Sequence, residues 1–387
     1  MKILLSLPTP SSSNNESSAP SFVACGLASA AFVHVNDTVF SLNLPADGDG
    51  KDKKPPVQCV DSFWKGDELL IAVVKFKTVG IFSISKASPA SPPPSPVSTF
   101  TVPKKVSCCK FVSSPSLPLM LLVGDKAGDI TAYGVDDVKK SRHVVGHTAS
   151  MVTCLTTIQN LNGTTKQILS GDRDEKVRVT AFPNSYVLNG LLLGHTGFVS
   201  AVASNKEYCA TASGDSSVRL WNTSKSTSEA EIKCWNVDSI AAVVAISEDN
   251  VVAFASDGAN EVHIVSEKES EVVKVCADAA ILGISFVTNN KLCVLTDDKD
   301  AYLKVFDLSG INVGGEAVEK INEKAKAADL ENVQKTLIEG ENANGGQEKT
   351  DSALVKHAKH HIVEKRVNDK GGNKKKNKKQ KLEEDNE

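Results

Sequence analysis

The stretch Gly194–Asn222, GHTGFVSAVASNKEYCATASGDSSVRLWN, decides the fold. It holds three short apolar runs, FVSAVA, YCATAS and VRLW, cut by the turn-forming clusters SNKE and GDSS. Runs of this length bounded by Gly, Asn, Asp and Ser read as strands joined by tight turns. The same texture extends from about residue 20 to residue 308, in LLIAVVKF, LMLLVGD and VVAFASDG among others. No apolar pattern at helical spacing persists there for about three turns, so the region is expected to be almost free of helix.

The unit recurs. A short segment of the form V-x-(apolar)-x ends at Leu42, Phe82, Tyr133, Thr180, Trp221, Val265 and Phe306, at spacings of 40, 51, 47, 41, 44 and 41 residues. A period of about 40–45 with four strands per unit is the signature of a β-propeller of the WD-repeat type. The expected fold is therefore all-β, a seven-bladed WD-repeat propeller over residues 1–310. Gly146-His147 and Gly194-His195 each precede a repeat strand, and Trp221-Asn222 stands where such repeats end in Trp-Asp. In the best unit the spacing picks out His195, Thr211, Asp215 and Trp221 as a buried hydrogen-bonded set, which must be fully satisfied to be worth burying. The preceding unit offers His147, Ser170 and Asp174 with Thr180 in place of Trp, and the last offers Thr296, Asp300 and Phe306. Ring closure is expected from Lys2–Leu7, as the outer strand of the last blade.

Composition narrows the function. The chain of 387 residues carries 44 basic and 47 acidic side chains, a net charge of −3, so no global field draws it to nucleic acid. Its 41 % hydrophobic share supports a real core. Nine scattered cysteines with no C-x-x-C pair argue against a disulfide framework and a zinc site. No run approaches the roughly 18 apolar residues of a membrane helix. The opening MKILLSL is shorter than a secretory h-region and lacks its cleavage site.

Outside the repeats the texture changes. Residues 86–97, KASPASPPPSPV, and 46–56, ADGDGKDKKPP, read as exposed loops. The first offers Ser88, Ser91 and Ser95 before Pro; the second lacks the closing Glu of a calcium loop, with Gln58 in its place. Residues 311–369 read as a helical extension, with helices at 316–338 and 351–367 around a linker at 340–349. Residues 370–387 read as a disordered Lys-rich tail, and its run NKKKNKKQK, residues 373–381, suits a nuclear-import signal.

No reaction centre is legible. The sequence has no G-x-S-x-G elbow, P-loop or H-E-x-x-H, and Gly314-Gly315 lacks the strand–helix context of a dinucleotide site. His357, His360 and His361 fit a solvated helix face better than a metal site. Cys108 and Cys109 are strand neighbours, point to opposite faces and cannot chelate together. The expectation is a binding protein with no catalytic residue, no metal and no cofactor of its own.

The unusual stretch is Ser170–Thr180, SGDRDEKVRVT. Read as strand–turn–strand, Asp172-Arg173-Asp174-Glu175 makes the turn, and Lys176 and Arg178 share one face of the next strand. A basic residue at the Arg178 position also occurs as Arg219 and Lys304, where it can simply cover a neighbouring blade.

The block ILSGDRDEKVRVTAFP, followed by LLLGHTGFVSAVA, resembles the non-catalytic WD-repeat subunit of the eukaryotic tRNA (guanine-N7-)-methyltransferase. In that family a block (S/A)DRDEK(I/V)(R/K)(V/I)S is followed by LGH-x-x-FVS; here the match runs through Asp172–Val179 and Leu193–Ser200, with Thr180 for the usual Ser. The resemblance implies a catalytic partner that carries the S-adenosylmethionine and methylates a guanine of the tRNA variable loop. It also implies partner contacts from Arg178 and Lys176, with Asp172, Arg173, Asp174 and Glu175 shaping the turn, and a heterodimer that seats tRNA.

Lys104, Lys105 and Lys110, then Lys139, Lys140 and Arg142, are the sequence's candidates for RNA phosphate contact, beside the tail. Aromatics at 5 % offer no evident stacking platform. The competing reading is a WD-repeat adaptor such as a ubiquitin-ligase substrate receptor. It is weakened because Trp221 is followed by Asn222-Thr223-Ser224 rather than by Asp-x-Arg. An enzyme with a propeller active site is weaker still, for want of a convergent set of carboxylates or histidines.

Overall fold

The computed structural model describes residues 3–6, 22–25, 30–35, 38–44, 56–85, 95–160, 162–225, 231–266, 272–288, 291–297 and 303–308. These residues form strands, turns and connecting loops, with no helix among them. Six antiparallel four-stranded sheets follow one another along the chain, in a β-propeller arrangement. They cover Ile3–Asn43, Val57–Thr101, Val106–Gly146, Val152–Leu192, Val199–Asn236 and Ala241–Cys276. A three-stranded sheet, Ile281–Asp307, follows the sixth. In every sheet the strands pair in chain order, as a meander, so neighbouring strands need only short turns.

Burial follows position in the meander. The second strand of the second sheet, ELLIAVVK from Glu68 to Lys75, is buried from Leu69 to its end, because adjacent sheets cover both its faces. The outer strands Ser98–Thr101 and Glu231–Asn236 are mostly open to solvent. Core clusters lie between successive sheets. Cys109, Phe111 and Leu121 pack with Val79 and Ile81 on one side, while Cys108 packs with Leu122, Val152 and Ile168 on the other. The adjacent thiols thus serve two separate interfaces. Each fully buried Leu, Ile or Phe contributes about 1.5–3 kcal/mol.

The turn between the second and third strands repeats a backbone feature. It carries a left-handed residue in each of five sheets: Phe76, Gly128, Glu175, Ser216 and Gly258. At Gly128 a Cβ would strike the carbonyl oxygens of His147 and Ser150, so glycine is required there.

Two sequence expectations are corrected. The N-terminal strand Ile3–Ser6 pairs with Phe22–Cys25 and opens the first sheet, so it is not an outer strand of the last blade. It lies beside Ile281–Thr288 without pairing to it. Leu42 sits on the fourth strand of its sheet, whereas Phe82, Tyr133, Thr180, Trp221, Val265 and Phe306 all sit on third strands. Its spacing fitted the period while its phase did not. The expected helices, the Lys-rich tail, Lys2, Leu7, Asp300, Ser88, Ser91, His357, His360, His361 and residues 46–55 lie outside the described residues.

Thr180 is 1 % exposed, and its Oγ1 has no hydrogen-bond partner. An orphaned buried hydroxyl costs about 1–3 kcal/mol. Thr180→Val, which keeps the shape and removes that group, is expected to raise unfolding free energy by about 1 kcal/mol in urea denaturation.

Candidate partner-binding site

Two buried histidines anchor the loops that lead into the fourth and fifth sheets. In the fifth, Trp221 Nε1 donates to Thr211 Oγ1 at 2.8 Å, and Thr211 Oγ1 lies 2.7 Å from His195 Nε2. His195 Nδ1 lies 3.0 Å from Asp215 Oδ2. Every atom has one consistent role if the imidazole carries its proton on Nδ1. The indole N–H donates to the threonine oxygen, the threonine O–H to Nε2, and Nδ1–H to the carboxylate. Asp215 also accepts the backbone N–H of Thr196 and the Ser217 hydroxyl. Burial opposes the charge on Asp215, but the His195 and Ser217 hydrogen bonds outweigh it and hold the carboxyl well below its usual range.

The fourth sheet builds a shorter version. His147 Nε2 lies 2.7 Å from Ser170 Oγ and Nδ1 lies 2.9 Å from Asp172 Oδ2. The acid is Asp172, at the end of the strand, and not Asp174 as the spacing suggested. Asp174 lies in the turn, half-buried, with Arg173 Nε at 3.7 Å from its carboxylate. A Ser–His–Asp line is also the constellation of acyl-transfer enzymes. Here Ser170 is 0 % exposed and Asp172 2 %, so no substrate reaches the hydroxyl. The line stops at Ser170, because Thr180 takes the place that Trp221 fills next door.

Asp172 is therefore an inward-facing residue, which corrects its expected place on the partner surface. Its second oxygen accepts the N–H groups of Asp174 at 2.9 Å and Lys176 at 3.0 Å. One carboxylate thus ties the buried histidine to the turn that displays Arg173, Asp174, Glu175 and Lys176. Burial works against its charge, but the His147 and backbone hydrogen bonds prevail and lower its pKa. Glu175 takes the left-handed turn position at φ 75°. Lys176 is exposed and precedes the strand Val177–Ala181 rather than lying in it.

Arg178 is half-buried on that strand, opposite Ser170 and Leu191. Comparison with its counterparts is informative. Arg219 pairs with Glu231 of the outer strand of its sheet, and Lys304 lies 2.9 Å from Asp278. Arg178 makes no ion pair among the described residues, and its Nε is buried without a hydrogen-bond partner. The register explains why: Trp221 faces Glu231, whereas Thr180 faces Leu188. The outer strand and the turn before it expose Tyr186, Val187 and Leu188, and Leu193 is exposed just beyond the strand's other end. Neither the outer-strand partners of Arg219 nor this apolar rim was read from the sequence; LNGLL in place of EIKCWN was the available signal.

The basic clusters are not brought together. In a meander, turns after the first and third strands share one face of the ring, and turns after the second and fourth share the other. Lys104 and Lys105 follow a fourth strand; Lys139 and Lys140 follow a third, on the opposite face. Lys104 pairs with Asp129 at 3.2 Å and Lys140 approaches Asp137 at 3.9 Å. Arg142 donates to the Pro183 carbonyl at 2.8 Å and lies over the Phe182 ring, so it already has a structural task within the fold. Lys110 is likewise committed, to Asp61 at 2.8 Å across the second and third sheets. The eight cysteines described are free thiols, and no group of His, Cys, Asp or Glu among the described residues could hold a metal.

Residues 136–296 match the family model described as tRNA methyltransferase TRM82 WD40 domain. This stretch is TRM82-like. It contains the fourth and fifth sheets with both histidine sets, Arg178 and the turn before it. The chain is also similar to proteins named tRNA (guanine-N(7)-)-methyltransferase non-catalytic subunit wuho. The Drosophila grimshawi protein is 36 % identical over 104 residues, 26 % of this chain and 26 % of that one. The Culex quinquefasciatus protein is 34 % identical over 118 residues, 30 % of this chain and 27 % of that one. The Drosophila melanogaster protein is 34 % identical over 118 residues, 30 % and 26 %. The similarity thus spans about a quarter of the length of these relatives.

The lowered carboxyls of Asp172 and Asp215 set a pH dependence. A folded-state pKa below the unfolded value of about 3.9 gives stability that is complete above that value and is lost as pH falls through the folded pKa. Asp172→Ala or Asp215→Ala is expected to cost about 2 kcal/mol or more at neutral pH. The deficit should shrink below about pH 4 in urea melts across pH; a deficit constant with pH would show that charge is not what these residues supply.

Proposed function

We propose that this chain is the non-catalytic scaffold subunit of a tRNA (guanine-N7-)-methyltransferase. On this reading it binds the catalytic subunit, keeps it in an active shape and supports N7-methylguanosine formation in the tRNA variable loop. The three-stranded sheet would be the seventh blade, since Ile3–Ser6 beside Ile281–Thr288 brings the ends of the ring together. Catalytic residues and S-adenosylmethionine would belong to the partner, and tRNA would be seated by the complex. The lysine run at 373–381 suits a nuclear protein.

One observation carries the reading: among the described residues Arg178 has no carboxylate partner, while Arg219 and Lys304 each have one. A half-buried guanidinium on a sheet whose outer edge exposes Leu188 and Tyr186 has the make-up of an interface anchor, a cation that an incoming carboxylate would pair with and apolar side chains that would exclude water. Lys176, Arg173 and Glu175 would add contacts from the turn, held in shape by Asp172. The names of the similar proteins supply the partner's chemistry.

Arg178→Glu tests it. Truncating one side of a desolvated pair costs about 2–5 kcal/mol, so the variant should lose copurification of the methyltransferase while its thermal melting is unchanged. Arg219→Glu should disturb the fold before it disturbs the complex. Normal copurification of Arg178→Glu would refute the assignment.

A further inference from the structure

A second surface lies on the ring face that carries the Arg173–Lys176 turn, at the junction of the second and third sheets. Three loops meet there. The Lys77 carbonyl accepts the Val102 N–H at 2.9 Å, the Phe76 carbonyl accepts the Val106 N–H at 3.0 Å, and the Lys105 carbonyl accepts the Lys126 N–H at 2.9 Å. These backbone bonds hold Phe76, Lys77, Lys105 and Lys126 side by side. Phe76 is 40 % exposed, with the Lys105 ammonium 5.1 Å and the Lys77 ammonium 5.9 Å from its ring centroid.

Two features set this cluster apart. The first is charge. Among the described residues Lys77, Lys105 and Lys126 have no ion pair. The nearby acids are committed: Asp125 accepts the N–H groups of Ala127 and Asp129, and Asp129 pairs with Lys104 and His143. Burial, then repulsion from Lys105, pushes the Lys126 pKa down, so the cluster resists its own charge. The second is the aromatic. Phe76 occupies the left-handed turn position at φ 52°, where other sheets use Gly128, Glu175, Ser216 and Gly258, none of them aromatic. A bulky residue there is strained, and it leaves an apolar ring in solvent. Cation–π contact at an exposed site gives about 0.5–1 kcal/mol, while stacking of a nucleobase gives about 1–3.

We propose that Phe76, Lys77, Lys105 and Lys126 form a binding platform for a single-stranded RNA segment, with one base stacked on Phe76 and the flanking phosphates on the lysines. An unpaired cationic cluster around one solvent-facing ring is complementary to an unstacked base between phosphates, and an acidic protein surface would leave the ring unused. RNA rather than DNA rests on the methyltransferase reading above. The platform differs from the Arg178 surface, which lies in the fourth sheet.

The test uses the full chain, a labelled single-stranded RNA oligonucleotide and a blunt RNA duplex, read by fluorescence anisotropy and by ultraviolet crosslinking with peptide mapping. Phe76→Gly should melt no lower than the parent, because glycine suits that turn, yet bind the single strand about fivefold or more weakly. Lys105→Gln should reduce the salt dependence by about 0.7 in log–log slope. Crosslinks should fall at residues 76–77 and 104–105. Crosslinks confined to 373–381, equal affinity for duplex and single strand, or binding unchanged by Phe76→Gly would each overturn the proposal. The binding needs no methyltransferase, so its failure leaves the scaffold reading intact, and failure of Arg178→Glu to disrupt the complex leaves the RNA platform intact.

Discussion

A buried imidazole with a hydroxyl on one nitrogen and a carboxylate on the other is the contact on which the rest of this molecule depends. His195 and His147 each sit in the loop that enters a sheet and reach into the turn between that sheet's second and third strands. Buried polar atoms are costly unless every one is paired. The set therefore forms only when loop, strand and turn are all in register, and it fixes three pieces of backbone at once. Trp221 extends the line in the fifth sheet. In the fourth, Thr180 ends it and leaves an orphaned hydroxyl.

Function follows from where the lines end. Asp172 faces His147 with one oxygen and the backbone of the DRDEK turn with the other, so the buried network sets the shape of the surface turn. Arg178 follows on the next strand. Its counterparts pair with Glu231 and Asp278, and among the described residues it has no such partner. On the proposed reading, that guanidinium, on a sheet whose outer edge exposes Leu188, is completed by another molecule. The Ser170–His147–Asp172 line, which has the form of a reaction centre, is sealed inside.

The sequence showed the strands well, because short apolar runs between Gly, Asp and Ser have few alternatives. It showed the His195 set well, because all four residues belong to one regular unit. Phase and partners were harder to read. Leu42 kept the period while lying one strand later, since a meander of similar strands looks alike in any frame. Asp174 had the spacing of Asp215, yet Asp172 reaches His147, because the last position of the second strand, Ser213 in the fifth sheet, holds a carboxylate in the fourth. The open state of Arg178 depends on Leu188 standing across the ladder where Glu231 stands next door, a cross-strand fact that no linear pattern carries. Phe76 looked like strand until the turn around it was visible.

The central claim is that the surface from the DRDEK turn through the outer strand of the fourth sheet receives the methyltransferase. Hydrogen exchange of the full chain, alone and with the copurified catalytic subunit, reads this directly. The account predicts slowed exchange in the partner's presence across residues 173–193, with the buried strand Thr165–Asp172 already protected in both states. Slowing confined to other sheets, with 173–193 unchanged, would contradict it.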